Sequence, residues 1–140
     1  MNCPVEQIIG SEKLTSIFGH WPSFHDGYVD LVRFEPNSKQ RSLEIECRIF
    51  ETTNRLDERG FYIHEKHTKT KLRFIECDRV SIKAIYAGVI IFSLEIEPAI
   101  LEFSKKSGWA VSLDSSTDFE MKLQCSAIEV LEAIPDLQQS

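Results

Sequence analysis

Between Ser42 and Phe50 the chain alternates without a break: Leu43, Ile45, Cys47 and Ile49 are apolar, while Ser42, Glu44, Glu46 and Arg48 between them are polar. A period of two puts every apolar side chain of the run on one face of an extended strand, an arrangement no helix can produce. The polar partners leave the other face to water, and a sheet wet on one side favours antiparallel pairing. The run therefore predicts a half-buried strand in an antiparallel sheet.

The same period begins at Tyr28, with Val29, Leu31 and Arg33 on one face and Tyr28, Asp30, Val32 and Phe34 on the other. Pro36-Asn37-Ser38-Lys39 supplies turn chemistry between the two runs, which predicts a hairpin. The polar stretch 51–60 reads as a mobile loop, followed by extended segments at Phe61–His64, Lys71–Ile75 and Val80–Ile85. Ile90–Glu97 is β-rich and Pro98 is expected to end it. Ile100–Phe103, Trp109–Asp114 and Phe119–Cys125 are extended, with turns at Ser104–Gly108 and Asp114–Asp118; Ala127–Ala133 reads as a strand or a short helix, and Pro135–Ser140 as a frayed tail. One helix opens the chain: Ser11 is placed to cap it, Leu14, Ile17 and Phe18 share a helical face, and Gly19 stands where a left-handed residue ends a helix. No repeat or linker divides the chain, so residues 1–140 form a single domain. The expected class is α+β and β-rich: a mostly antiparallel curled sheet, or a β-sandwich or roll, with one short N-terminal helix.

At 140 residues, with 42% hydrophobic content and nine Phe, the chain can bury about two-thirds of its surface without metals or disulfides. The longest mostly apolar run, Ala84–Leu94, is interrupted by Gly88 and Ser93 and is far short of the roughly 20 residues a spanning helix needs, so no membrane partner is expected. Residues 1–10 carry Glu6 and no Lys or Arg, unlike a secretory signal, which makes the cytoplasm the expected location. Cys3, Cys47, Cys77 and Cys125 are widely spaced with no C-x-x-C pair, so they read as reduced thiols, with Cys47 in the core. The net charge of −6 is unevenly spread: −3 over residues 1–35, +3 over 36–83 and −6 over 84–140. An acidic C-terminal half repels nucleic acid and attracts a basic partner. Neither nucleic acid nor a cofactor is expected, and no glycine pattern matches a phosphate-cradling loop.

Chemistry-bearing residues are densest at His20-Trp21-Pro22-Ser23-Phe24-His25-Asp26-Gly27, on the non-helical link between helix and first strand. Three readings compete. In the first, Trp21 and Phe24 plug the core while His25 or Asp26 satisfies backbone donors in a turn. In the second, His20 and His25, with Asp26 or with His64 and His67, hold a metal, although a closed site lacks its matching second half. In the third, His25 is a general base, but neighbours on an extended segment point apart, which leaves Asp26 badly placed to orient it. His64 and His67 themselves sit among interleaved charges and read as a solvated hairpin arm.

The run Ile17-Phe18-Gly19-His20-Trp21-Pro22-Ser23-Phe24-His25-Asp26, leading into Val29, Leu31 and Val32, resembles the N-terminal signature of the bacterial immunity protein 50 family. Downstream, Leu43–Phe50 ending in Phe50-Glu51, the Arg73-Phe74 pair and the stretch Ile90–Ile96 are similar in outline. Gly27 stands where the family often has a residue such as alanine, and Tyr86-Ala87-Gly88 where asparagines are frequent. The resemblance implies a small cytoplasmic immunity protein, not an enzyme, that binds and neutralises the toxin domain encoded by a neighbouring gene, by stoichiometric occlusion. The family's hallmark residues carry over onto Trp21, Pro22, Phe24, His25 and Asp26, in a structural or a partner-binding role, and no catalytic or metal residues come with them. Glu95, Glu97, Glu102, Asp114, Asp118 and Glu120 are the expected steering surface for a basic toxin. The alternative is a metal-assisted hydrolase using His20, His25 and Asp26.

Overall fold

The computed structural model describes residues 5–83 and 88–136. Cys3, Ile85, Tyr86, Ala87 and the tail 137–140 lie outside the described residues. A 3₁₀ turn at Val5–Gln7 precedes helix α1 (Glu12–Phe18) and strands β1 (Tyr28–Phe34), β2 (Leu43–Leu56), β3 (Tyr62–Lys83), β4 (Ile91–Ile100), β5 (Ser107–Ser115) and β6 (Glu120–Pro135). All six strands join one antiparallel sheet in the order β1-β2-β3-β6-β5-β4. A single sheet must supply both walls of its own core, so this one curls. Leu43, Ile45, Cys47 and Ile49 face inward as their alternation requires, and Leu72, Phe74, Val111, Leu113, Met121, Leu123, Ile128 and Val130 meet them from the other strands.

The helix forms where its pattern predicts it and buries Leu14 and Phe18. Gly19 ends it at φ 82°, its N–H returning to the Thr15 carbonyl at 2.7 Å. Ser11 makes no side-chain cap and is itself helical in conformation. Upstream of the helix, Ile9 bridges β6 between Ile128 and Val130. β5 stops pairing with β6 at Cys125, so Ile9 takes up part of the edge that β5 leaves bare.

Several boundaries differ from the expectations. Strand β2 runs on through the polar stretch to Leu56, because β3 pairs with it as far as Tyr62. The three separate segments expected over 61–85 are one strand, β3, bent at Lys66 and Glu76, which adopt φ of 57° and 54°. In β1 the register shifts between Val29 and Leu31, so Val29, Val32 and Phe34 pack against the core rather than Val29, Leu31 and Arg33. Pro98 lies inside β4, opposite Trp109; the strand has β5 on one side only, and a missing N–H is tolerated at an edge. Ala127–Ala133 is strand, paired with β3.

The three described cysteines are buried free thiols. Removal from water disfavours the thiolate, pushing Cys77 up to about 11 and Cys47 up to about 12, the latter helped by the nearby Asp30 and Glu46 charges; Cys125 is raised as well. Among the described residues no helix is long and apolar enough to cross a membrane.

Candidate functional site

The aromatic and imidazole string after α1 closes the curled sheet. Its ends are the two edge strands, and among the described residues they meet where the string leads into β1: the Val29 N–H donates to the Val89 carbonyl at 3.1 Å, the Ile91 N–H to Gly27 at 2.8 Å, and the Asp26 N–H to Ile91 at 2.9 Å. Tyr28 and Ile90 form the bridge between them. To aim these groups the chain turns sharply, with Phe24 at φ 65° and Asp26 at φ 67°. Left-handed backbone is strained for an aromatic residue, and burial holds it there: Phe24 is 1% exposed. Trp21 is half-buried, its ring 5.6 Å from that of Phe24, and Pro22 is buried beside them.

His25 fastens the seam from outside. Its Nδ1 lies 2.8 Å from the Phe92 carbonyl, which only accepts, so this nitrogen carries the proton and donates; the Phe92 ring meets the imidazole edge-on at 5.7 Å. The left-handed turn at Asp26 brings a carboxylate oxygen within 3.5 Å of His25 Nε2. The expectation that these neighbours point apart therefore fails, because the segment is not extended. His20 is engaged elsewhere. Its Nδ1 lies 3.0 Å from the Trp21 carbonyl and its Nε2 3.0 Å from Glu51, which also takes Lys66 at 3.1 Å. His20 and His25 line one shallow cavity of about 320 Å³ yet bond to different partners. Among the described residues no three of His, Cys, Asp and Glu gather closely enough to hold a metal ion.

Two acceptors facing both nitrogens favour the charged ring, so the Trp21 carbonyl, and after it Glu51, raise the His20 pKa above its ordinary 6.5. His20, then Lys66, hold Glu51 below its ordinary 4.5. The His20 contribution to stability is complete below about pH 6.5 and fades as pH rises through the raised value; that of Glu51 is complete above about pH 4.5 and fades as pH falls through the lowered one. The contact is thus strongest between those limits. A proton NMR titration is expected to place His20 above 6.5 and to bring it down in Glu51→Gln; an unmoved midpoint in that variant would remove Glu51 from the contact.

The acidic residues divide. Glu95 and Glu97 project from the outer face of β4, opposite Ser112 and Ala110, and with Glu120 they line a groove of about 470 Å³. Arg79, Lys83 and Lys122 line the same groove. Glu120 lies 3.8 Å from Lys83 and 3.9 Å from Lys122, and Glu102 bonds to Arg79. Asp114 stands across from Glu120, and Asp118 is exposed in the β5–β6 turn. Glu95 and Glu97 make no ion pair among the described residues.

A second surface has no counterpart in the sequence reading. Tyr28, Arg48, Lys69 and Ile134 stand in register across β1, β2, β3 and β6, all on the outer face. The Arg48 guanidinium lies 4.9 Å from the Tyr28 ring centroid and clasps Asp30 through two hydrogen bonds of 2.8 and 2.9 Å. Beside this row Phe50 stacks on His64 at 4.2 Å with His67 at 5.4 Å, and a groove of about 520 Å³ runs between them. His64 and His67 belong to the expected hairpin arm but are packed on a ring rather than merely solvated. One signal was available: Phe50 falls on the polar beat of the Ser42–Phe50 alternation, where an aromatic side chain is directed to the outside.

The family model described as immunity protein 50 matches residues 10–135, a span that takes in the string and the sheet it closes. No curated protein and no solved structure matches the chain.

Proposed function

The chain belongs to the immunity protein 50 family, and from that premise we propose that it binds the toxin encoded beside it and neutralises it one-to-one by occlusion, in the cytoplasm of the producing cell. The family match over 10–135 carries this reading. The geometry supports a binder rather than a catalyst: of the two imidazoles an enzyme would use, His25 is bonded to Phe92 at the closure of the sheet, and His20 is bonded to Trp21 and to Glu51 at the base of the β2–β3 arm. Holding nearly all of a lethal toxin requires nanomolar affinity, about 12 kcal/mol, and an interface of about 800 Å² on each partner.

The excess of carboxylates speeds the approach of a basic toxin domain. Glu95 and Glu97, outward and without an ion pair among the described residues, contribute most, and Glu102, Asp114, Asp118 and Glu120 add to the field, all less the share that Arg79, Lys83 and Lys122 in the same groove cancel. The experiment is co-purification with the neighbouring toxin domain, followed by association kinetics of Glu95→Lys/Glu97→Lys at low and moderate salt. The wild type is expected to bind and protect. The double variant is expected to associate about tenfold more slowly at low salt with a flatter salt dependence. A well-expressed toxin that neither binds nor loses toxicity defeats the proposal, and equal rates at low salt defeat the steering role.

A further inference from the structure

Strand β1 pairs with β2 only as far as Arg48, and β6 pairs with β3 only from Thr68 onward. Beyond those points β2 and β3 continue alone, so Thr52–Glu65 is a two-stranded ribbon that projects from the sheet, flanked by no strand among the described residues. Isolated ribbons are marginal in water, and this one is braced along its length. Thr53 donates to the Ile63 carbonyl at 2.8 Å, Arg55 reaches Glu65 at 3.0 Å, and at the tip the Asp57 carboxylate accepts the Arg59 and Phe61 N–H groups at 2.9 and 3.0 Å while Gly60 turns at φ 85°. The Glu51 contact to His20 and Lys66 anchors its base.

On either side of its charged Asp57-Glu58-Arg59 turn the ribbon holds out three large apolar side chains. Leu56, Phe61 and Tyr62 are 58%, 64% and 59% exposed. The turn itself, Asp57-Glu58-Arg59-Gly60, is charged and exposed and keeps the arm soluble. Beside it, three large side chains stand on a hydrogen-bonded protrusion, an arrangement that lowers the entropy lost when they are buried against a partner. Behind the tip, the Tyr28–Arg48 row and the Phe50–His64 stack continue the surface with the residue types found at the centres of interfaces.

We infer that the β2–β3 ribbon is the anchor of the complex, entering a cleft of the cognate toxin so that Leu56, Phe61 and Tyr62 pack on an apolar wall while the charged Asp57-Glu58-Arg59 turn meets polar groups beyond it, with the Tyr28–Arg48 row closing over the rim. The inference rests on the toxin-binding reading above. A convex arm requires a concave partner, and an enzyme's substrate cleft is the concave surface whose filling abolishes activity. A ribbon about 20 Å long with both faces bare offers on the order of 400 Å², and the row at its base brings the total near the ~800 Å² a stable complex needs on each side.

The probe is the neighbouring toxin domain, carried in a catalytically impaired form. Leu56→Ser/Phe61→Ser/Tyr62→Ser changes only exposed side chains and is expected to keep the wild-type melting midpoint while dissociating at least 100-fold faster; in the wild-type complex, amide exchange is expected to slow over residues 52–65. A triple variant that holds the toxin as tightly as wild type overturns the anchor while leaving toxin binding intact. A wild-type chain that forms a tip-dependent dimer without toxin overturns it too, by making the ribbon a self-contact. Failure of the wild type to bind at all defeats the toxin-binding reading, and the anchor with it.

Discussion

Phe24→Ala is expected to lower the stability of the fold by about 4 kcal/mol, a fall of roughly 10–15 °C in melting midpoint for a chain of this size. Two effects combine. Phe24 is 1% exposed, so truncation leaves a ring-sized void at the point where the sheet closes. The residue also sits at φ 65°, a conformation that the buried ring maintains against its local strain. Once the ring is removed, the segment that presents the Asp26 N–H and the Gly27 carbonyl to Ile91 loses its anchor, and the seam loses two of its hydrogen bonds. Trp21→Ala is the useful contrast: its ring is half-buried and leans on Phe24 from the outside, so its loss is expected to cost less. Calorimetry of the two variants tests the ranking. A Phe24→Ala midpoint within about 3 °C of wild type would mean that the seam depends on something other than this ring.

Gly108→Ala is expected to cost about 3 kcal/mol, the upper end of what an added methyl does in a packed interior. A Cβ at this position would overlap the Cys125 carbonyl oxygen and stand 2.8 Å from Leu101 Cδ2. The carbonyl cannot yield, because Cys125 lies in β6 between β3 and β5, paired with Cys77 on one side and Trp109 on the other. Chemical denaturation is the suitable measurement, since an unchanged slope with a lowered midpoint identifies lost native stability. A midpoint equal to wild type would show that β5 can shift away from β6 at its first residues without loss.

The core strands were legible because burial writes itself into period two. Leu43, Ile45, Cys47 and Ile49 face the core as read, and α1 ends at Gly19 as read. What escaped were the irregularities. The bends at Lys66 and Glu76 place ordinary charged residues at positive φ, where no glycine signals them, and the shift in β1 interrupts an alternation that looked continuous. The ribbon escaped for a related reason. Bare on both faces, it has no core-facing residues, so its polar sequence resembles a loop although its backbone is paired. The string announced itself by composition, but its task depended on His25 reaching Phe92 across 67 positions of chain, a pairing that local pattern does not encode. The acidic residues were legible as charge, whereas their partial neutralisation by Arg79, Lys83 and Lys122 emerges only when four strands are laid side by side.

The closure at Val89–Ile91 lies on different residues from the ribbon end and from Glu95 and Glu97, and this separates two kinds of evolutionary freedom. On the proposed reading, changes at the ribbon end or along β4 would retarget the molecule without loosening the closed sheet, and repairs to the closure would leave its specificity alone. A lineage pursued by a changing set of poisons would gain from such a chassis: one fastening inherited intact, with interchangeable faces bolted to it.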